Sequence, residues 1–183
     1  MAYPYTHKLI FPLERYNVNS YKFKQDCAYD NVHWGIHLGE DVNRPAGAKI
    51  FSIGKGKVVY SALHPGTKEK SNWGNIIIIA HKNPKSKKIF FSLYAHMQKR
   101  LVKKGDSIKL EQLIGKVGKT NSPENGWWKD AHLHFAIYTG EWKRKILPGY
   151  WKKRDKRTKL TYWKEPTKFI NSYNKNPKSI NNF

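Results

Sequence analysis

Residues 74–80 read Gly-Asn-Ile-Ile-Ile-Ile-Ala, and they are the strongest indication of the class of fold. The apolar run over residues 76–80 is short, and it consists mostly of β-branched isoleucine, which favours strands. Gly74 and Asn75 come just before it, and both residue types are typical of turns. We therefore predict a buried β-strand at this point rather than a helix.

Short segments of similar character lie on both sides of this run. Gly54-Lys55-Gly56 separates two of them, and the full set of strand candidates is 49–53, 57–61, 89–95, 107–110, 113–117 and 133–138. Many short strands with glycine between them predict a mainly β fold, in which an antiparallel β-sheet folds over itself. Few short helices are expected. One is predicted over residues 166–173, because proline is tolerated at a helix start.

The length of 183 residues suits one domain with terminal extensions, and 39% hydrophobic residues exclude a disordered polymer. We divide the chain into an aromatic N-terminal extension (1–34), a core (35–140) and a C-terminal extension (141–183). The last segment is basic and aromatic, with 11 Lys or Arg against 2 acidic residues over positions 143–168.

The charge balance is extreme, because 35 Lys plus Arg stand against 13 Asp plus Glu and give a formal net charge of +22. A field of this strength attracts polyanions. Nucleic acid, anionic lipid headgroups and the phosphate polymers of bacterial envelopes all meet this condition. A solvated basic surface without a dedicated partner is the alternative, and the charge alone does not choose among these possibilities.

Cys27 is the only cysteine, so no disulfide can form within the chain. Residues 1–15 show no secretory signal, and no stretch is long and apolar enough for a transmembrane segment. We expect either a protein that stays in the cytoplasm until it is released, or an exported protein whose signal lies outside this sequence.

His132 and His134 are two residues apart in a predicted strand, so their side chains point to the same face. One imidazole can then bind a metal ion while the other reaches a substrate. Leu133 and Phe135 point to the opposite face and can anchor the strand in the core. A coincidental pair of histidines on an exposed strand is the alternative.

His37 and Asp41 offer an imidazole and a carboxylate, both suitable ligands for zinc. An extended strand would place them too far apart, roughly 13 Å, so a bend is needed, and Gly39 permits one. We expect Glu40 to face solvent. His33, four residues before His37, is an alternative ligand, and His96 is a further candidate that depends on the residues around it.

These segments occur in an order that resembles the lysostaphin-type (LytM-like) zinc endopeptidases, a family that cuts peptidoglycan. The first motif of that family, His-x-x-x-Asp followed by Pro, Gly and a Gly-x-Val turn, is similar to residues 37–59, HLGEDVNRPAGAKIFSIGKGKVV. This register favours His37 over His33. The other matching segments are Trp73-Gly74-Asn75, Tyr94-Ala95-His96, the glycine turns at 102–106 and 114–118, and His132-Leu133-His134-Phe135. The resemblance covers residues 35–138.

The resemblance implies an open groove over the folded sheet, of the duplicated-hybrid-motif type. It places one zinc ion (Zn²⁺) on His37, Asp41 and His134, and it makes His96 and His132 the catalytic histidines. Metal-assisted amide hydrolysis follows, with one of these two histidines as the base and the other stabilising the oxyanion. The sequence does not assign the two roles. No His-Glu-x-x-His motif is present, so a glutamate base is not expected.

The substrate implied is the stem peptides of peptidoglycan, at the D,D-crosslink in the first place and at glycine bridges in the second. Anionic wall polymers are expected as additional partners, specific nucleic acid is not, and the chain is expected to be a monomer acting at the cell wall. Residues 119–131 form a longer link before the last motif than the family often has, and they contain Trp127-Trp128. The resemblance therefore does not predict the shape of one wall of the groove or the substrate preference.

Four alternatives remain at this stage. The chain could be a wall-binding regulatory module without activity, a basic nucleic-acid-binding protein, or a non-haem iron oxygenase, which also uses two histidines and a carboxylate. An N-terminal segment could also block the metal through an asparagine; the candidates are Asn17, Asn19 and Asn31.

Overall fold

The isoleucine run forms the middle of a central strand. In the computed structural model, which describes residues 3–29, 32–143 and 149–175, strand β6 spans Gly74–Lys82. Ile77 and Ile79 contribute to one hydrophobic cluster, and Ile76 and Ile78 to another on the opposite face. Because both faces are buried, the strand is apolar throughout instead of alternating. The predicted buried strand is confirmed.

The strands of the described residues form two antiparallel sheets. The smaller one has the order β1-β2-β11, with β1 at Asp26–Tyr29, β2 at Val32–His37 and β11 at Tyr150–Trp151. The strands of the larger sheet, besides β6, are β3 (Glu40–Asn43), β4 (Lys49–Phe51), β5 (Gly56–His64), β7 (Ile89–Arg100), β8 (Ser107–Ile108), β9 (Leu113–Val117), β10 (His132–Tyr138) and β12 (Trp163–Lys164). Its order is β12-β10-β7-β6-β5-β8, while β3 pairs with β10, and β9 pairs with β4 and β7.

One α-helix occurs in the described residues, α1 at Pro166–Lys175, so the helix predicted at 166–173 is confirmed. Two short 3₁₀ turns lie at Pro123–Asn125 and Leu160–Tyr162. The mainly β fold class is confirmed. No helix in the described ranges has the length and apolar character to cross a membrane.

Two predicted strands are shorter than expected. Strand β8 ends at Ile108 because a turn follows, in which the Lys109 backbone N–H donates to Gln112 Oε1 and Glu111 adopts a φ of 61°. Strand β4 ends at Phe51, where the pairing with β9 already shifts register.

Both terminal segments pack into the core. Leu9, Leu13 and Ile170 are buried in the same hydrophobic cluster as Ile77. The Asn174 side chain accepts a hydrogen bond from the Leu9 backbone N–H and donates one to the Leu9 carbonyl. The division at residues 34 and 140 stays a prediction, but the segments outside it complete the core.

Candidate metal centre

Strand pairing brings His37, Asp41 and His134 together from distant parts of the sequence. His134 on β10 lies opposite Asp41 on β3 in the antiparallel register, and His37 is the last residue of β2, just before the bend into β3. All three side chains are almost fully buried. The bend predicted between His37 and Asp41 is present.

The ligand atoms converge on one point. His134 Nδ1 lies 2.8 Å from Asp41 Oδ1 and 3.0 Å from His37 Nε2, and His37 Nε2 lies 3.3 Å from Asp41 Oδ1. Ligands held about 2.0–2.1 Å from a tetrahedral zinc ion are separated by roughly 3.3 Å. The three residues therefore fit a zinc ion, and three protein ligands leave its fourth position open, as in catalytic sites.

Neighbouring groups prepare these side chains for a cation. His37 Nδ1 is 3.1 Å from the Lys22 carbonyl and donates to it, which leaves Nε2 as the ligand atom. Burial alone would raise the pKa of Asp41, but the adjacent His37 and His134 imidazoles hold it well below its usual value. Burial lowers the pKa of His134, against the opposing effect of Asp41. These shifts favour a carboxylate at Asp41 and a neutral imidazole at His134.

Gly39 allows the bend between β2 and β3 to pass directly over His134. A Cβ at this position would lie 2.6 Å from the Phe135 carbonyl oxygen and 2.8 Å from His134 Cε1. The glycine is needed for space, since its φ is not positive. A larger residue would push either the bend or the His134 ring away from the other two ligands.

His96 and His132 lie beside the three ligands. Their ring centroids are 4.7 Å apart, and the His96 ring is 6.0 Å from the His134 ring. His96 Nδ1 lies 3.0 Å from the Asn125 carbonyl, and His132 Nδ1 lies 2.9 Å from the Asp130 carbonyl. Each Nδ1–H donates to its carbonyl, so Nε2 of each ring is the atom that can exchange a proton with a substrate.

The backbone at His96 is unusual, with a φ of 61° inside strand β7. Its N–H donates to the Trp73 carbonyl and its carbonyl accepts from the Gly118 N–H, so neighbouring loops hold this conformation. Burial, reinforced by the nearby His132 and His134, keeps the pKa of His96 well below its usual value. A strained backbone kept in place by its surroundings is typical of functional sites.

A cleft of about 220 Å³ opens over the five predicted residues. Of those five, Asp41, His96, His132 and His134 line it, while His37 lies behind them. The lining also contains four aromatic residues that were not predicted as metal ligands or catalytic residues: Tyr21, Trp73, Trp128 and Tyr150. Tyr150 contacts the His37 ring at 5.4 Å because β11 pairs with β2, a long-range contact that no local pattern signals.

The expectation that Glu40 faces solvent is wrong. Because Asp41 faces the cleft, strand alternation turns Glu40 to the opposite face of β3, where it is 3% exposed. Tyr16 Oη and Thr167 Oγ1 donate to Glu40 Oε2 at 2.7 and 2.8 Å, and the Thr167 N–H donates to Oε1. Burial and the Glu40 charge raise the pKa of Tyr16 well above its usual value, which keeps it a donor.

The other candidates lie away from the cluster. The side chain of His33 is 60% exposed and contacts Asp26, so it is not a ligand in this arrangement. Asn19 Oδ1 accepts a hydrogen bond from the Asn43 backbone N–H, and Asn31 lies outside the described residues. Self-blocking by an asparagine stays a prediction.

Comparison with known families matches residues 35–146, more than half of the chain, to Peptidase family M23. Among curated proteins, the chain is 35% identical over 101 residues to the peptidoglycan DD-endopeptidase ShyB of Vibrio cholerae. This match covers 55% of the chain but only 20% of ShyB. The chain therefore corresponds to a small part of that relative.

Among solved structures, a zinc containing peptidase from Vibrio cholerae matches with 30% identity and a TM-score of 0.54, over 69% of this chain and 35% of the other. LytU matches with a TM-score of 0.59 at 23% identity, over 86% of this chain and 87% of the other. The second likeness concerns the fold alone, and it extends beyond the family match into both terminal segments.

Proposed function

Since this chain belongs to Peptidase family M23, we propose that it is a zinc-dependent endopeptidase of bacterial peptidoglycan. The observation that carries the proposal is the convergence of His37 Nε2, Asp41 Oδ1 and His134 Nδ1 within 3.3 Å of one another at the base of a cleft. The same cleft contains two further histidines, and within the described residues no other group of ligand-type side chains meets in this way.

The three ligands would bind the zinc ion, and the two further histidines would transfer a proton and stabilise the developing negative charge. A bound zinc ion supplies Lewis acidity and lowers the pKa of the attacking water. His132 or His96 accepts the proton of that water at Nε2, and the other histidine stabilises the negative charge that develops on the amide oxygen. The backbone carbonyls of Asn125 and Asp130 fix both rings for these steps.

The preferred bond is the D,D-crosslink between stem peptides, and glycine bridges come second. The support is the 35% identity to a relative named as a DD-endopeptidase, whereas the likeness to LytU concerns the fold only. The site of action is then the bacterial cell wall, and anionic wall polymers are additional partners of the basic surface.

The alternatives have less support. A regulatory module without activity would not need all three ligands and both catalytic histidines in one cleft. A nucleic-acid-binding tail would need exposed aromatic rings for base stacking. Among the aromatic rings of the tail that the structure describes, only Tyr162 is exposed, at 38%, whereas Trp163 is 2% exposed. Trp163 Nε1 donates to Thr158 Oγ1, and Trp151 Nε1 donates to the Thr158 carbonyl.

The test is mass spectrometry of purified peptidoglycan after incubation with the protein, with and without a chelator. We expect defined peptide products that disappear with the chelator and return with zinc, and their masses identify the bond. His134→Ala should lose both bound zinc and cleavage. His132→Ala should keep zinc and lose cleavage by roughly 10²–10⁴-fold, the usual contribution of a general acid or base.

His7→Ala is the matched control, because His7 is exposed on the N-terminal segment, and it should keep zinc and cleavage. Full activity of His132→Ala would refute the assigned roles. Zinc bound by the wild-type protein without any product would instead favour the regulatory module.

A further inference from the structure

A second, larger cleft adjoins the metal centre. We call it the aromatic cleft and define it by Tyr21, Trp34, Trp127 and Trp128. Its volume is about 720 Å³, compared with about 220 Å³ for the cleft over the metal ligands. The two clefts share Tyr21, Ser71, Trp128 and Asp130 in their linings and are therefore adjacent.

Tight packing holds one wall of the aromatic cleft in place. Gly66, Gly74 and Gly126 lie where the segment before β6 crosses the loop after β9, and a Cβ on any of them would come within 2.2 Å of a backbone atom across the crossing. The buried Asn125 side chain donates to the Trp128 carbonyl and accepts from its N–H, and Trp128 Nε1 donates to the Asn72 carbonyl. The wall is thus pre-formed, which lowers the cost of binding.

Trp127 has a conformation that a tryptophan rarely adopts. Its φ is 64°, and its N–H is held by the Ser122 carbonyl at 2.8 Å. A bulky side chain at positive φ costs free energy, and such a conformation persists only where the surroundings enforce it. Here the enforced conformation places a half-buried indole at the lining of the cleft.

The charge of the aromatic cleft differs from that of the whole protein. Its lining contains two basic residues, Lys68 and Lys129, and two acidic residues, Glu69 and Asp130, in a chain of net charge +22. A site for a polyanion would carry an excess of positive charge. The balance therefore favours a ligand without net charge, with apolar faces for the indoles and polar edges for groups such as Ser71 and Asn121.

We propose that the aromatic cleft binds an uncharged N-acetylated amino sugar of the glycan strand, so that the enzyme holds the strand close to the point where the stem peptide is attached. The C–H faces of a pyranose ring stack on indole, and its hydroxyl and acetamido groups supply the polar edge. This inference rests on the proposed function, because it takes peptidoglycan as the substrate.

The spacing of the rings agrees with this placement. The centroid of Trp128 is 5.4 Å from that of His96, and the centroid of Trp34 is a further 5.3 Å from Trp128. These two separations place the Trp34 indole at most about 11 Å from the His96 ring. A stem of three or four residues in extended form spans roughly 10–14 Å, which links a scissile bond at the histidines to a sugar at the indoles.

The test is a titration of the full-length protein with the trisaccharide of N-acetylglucosamine, followed by tryptophan fluorescence. We expect saturable binding to the wild-type protein and at least tenfold weaker binding to Trp127→Gly, a change that accepts the positive φ. Trp34→Leu removes an indole from strand β2 instead of the loop and should weaken binding similarly. Trp142→Ala, outside the cleft, should bind like the wild type, and unfolding temperatures identify any variant that has lost its fold.

Absence of saturable binding to the wild-type protein, or an unchanged, wild-type affinity in both Trp127→Gly and Trp34→Leu, would overturn the inference. Displacement of the trisaccharide by a sugar-free stem peptide would also overturn it, because the peptide would then occupy the cleft. The titration needs no cleavage. A protein that binds the sugar but leaves peptidoglycan intact refutes the proposed function and keeps this inference, and the reverse result refutes this inference alone.

Discussion

Glu40 shows how one buried carboxylate connects three parts of the chain next to a metal ligand. It accepts hydrogen bonds from Tyr16 in the N-terminal segment and from Thr167 at the start of α1, and it precedes Asp41 in β3. A buried charge is tolerated only when such donors replace water. Glu40 therefore fixes the backbone of β3 against both terminal segments.

We expect Glu40→Ala to lower the free energy of unfolding by about 3 kcal/mol, because Tyr16 Oη and Thr167 Oγ1 would lose a charged acceptor inside the protein. Glu40→Gln should lose less stability, because one acceptor oxygen remains. It should still lose some, because its NH₂ group would face a hydrogen-bond donor. Urea unfolding measures both. Glu14→Ala, at an exposed glutamate of the N-terminal segment, is the control and should stay within about 0.5 kcal/mol of the wild type.

His81 is a buried histidine with a structural task. Its Nδ1 is 2.7 Å from the Lys55 carbonyl and its Nε2 is 2.7 Å from Ser92 Oγ, so a neutral ring satisfies both partners. Burial lowers its pKa from 6.5 to about 4. Between these values the unfolded chain binds a proton at His81 that the folded chain does not, so stability falls as the pH is lowered through this interval.

The full effect is about 3 kcal/mol between pH 7 and pH 4. We expect His81→Gln, which can still donate and accept, to lose less stability on acidification than the wild type by up to that amount. Unfolding free energies of both proteins at several pH values measure this difference. The contributions of the metal-centre histidines cancel in it, because both proteins contain them. Parallel pH profiles for the two proteins would show that His81 does not stay neutral in the fold.

At the scale of strands and loops, local patterns predict the elements but not every neighbour. The isoleucine run and the paired His132 and His134 could be predicted, because strand alternation and β-branching act within a few residues. The burial of Glu40 and the position of Tyr150 could not be predicted. They depend on α1, which donates a hydrogen bond to Glu40, and on β11, which pairs with β2, and both contacts join residues more than 100 positions apart.

The loop that contains Asn125 and Trp127 is the element on which both clefts depend. We expect Gly126→Ala to lower stability by about 3 kcal/mol, because the new Cβ would lie 2.0 Å from the Asn72 carbonyl oxygen at a φ of 82°. Any shift of the loop also moves the Asn125 carbonyl, which orients His96, so the cleavage rate should fall while bound zinc is retained.

Gly105→Ala separates the effect of backbone strain at positive φ from the effect of a steric clash. Gly105 has a similar φ of 98°, but no atom lies within 4 Å of its Cβ position. We expect this control to lose only about 1–2 kcal/mol from backbone strain and to keep its cleavage rate. Thermal unfolding, zinc content and cleavage rate are measured for both variants. If Gly126→Ala and Gly105→Ala lost equal stability and equal cleavage rate, the two loops would not approach closely at Gly126.

At the scale of the whole molecule, the two ends of the chain close the core together. Tyr173 Oη donates to the Thr6 carbonyl, and Asn174 binds the Leu9 backbone in both directions. Phe90 on β7 contacts the rings of Phe169 and Tyr173 at 5.1 and 5.7 Å. The family match ends at residue 146, so this helix lies outside the matched part and yet packs into its core.

Ile170→Ala tests this dependence. Ile170 is 1% exposed in the main hydrophobic cluster, and truncating a buried isoleucine to alanine typically costs 2–5 kcal/mol through lost burial and the cavity left behind. We expect the whole domain to unfold earlier in a single transition, at a temperature lower by several degrees, whereas Ser172→Ala on the exposed side of the same helix should change little. Differential scanning calorimetry distinguishes the cases: an unchanged main transition for Ile170→Ala would mean that residues 35–140 fold without α1, as the sequence-based division into a core and extensions predicts.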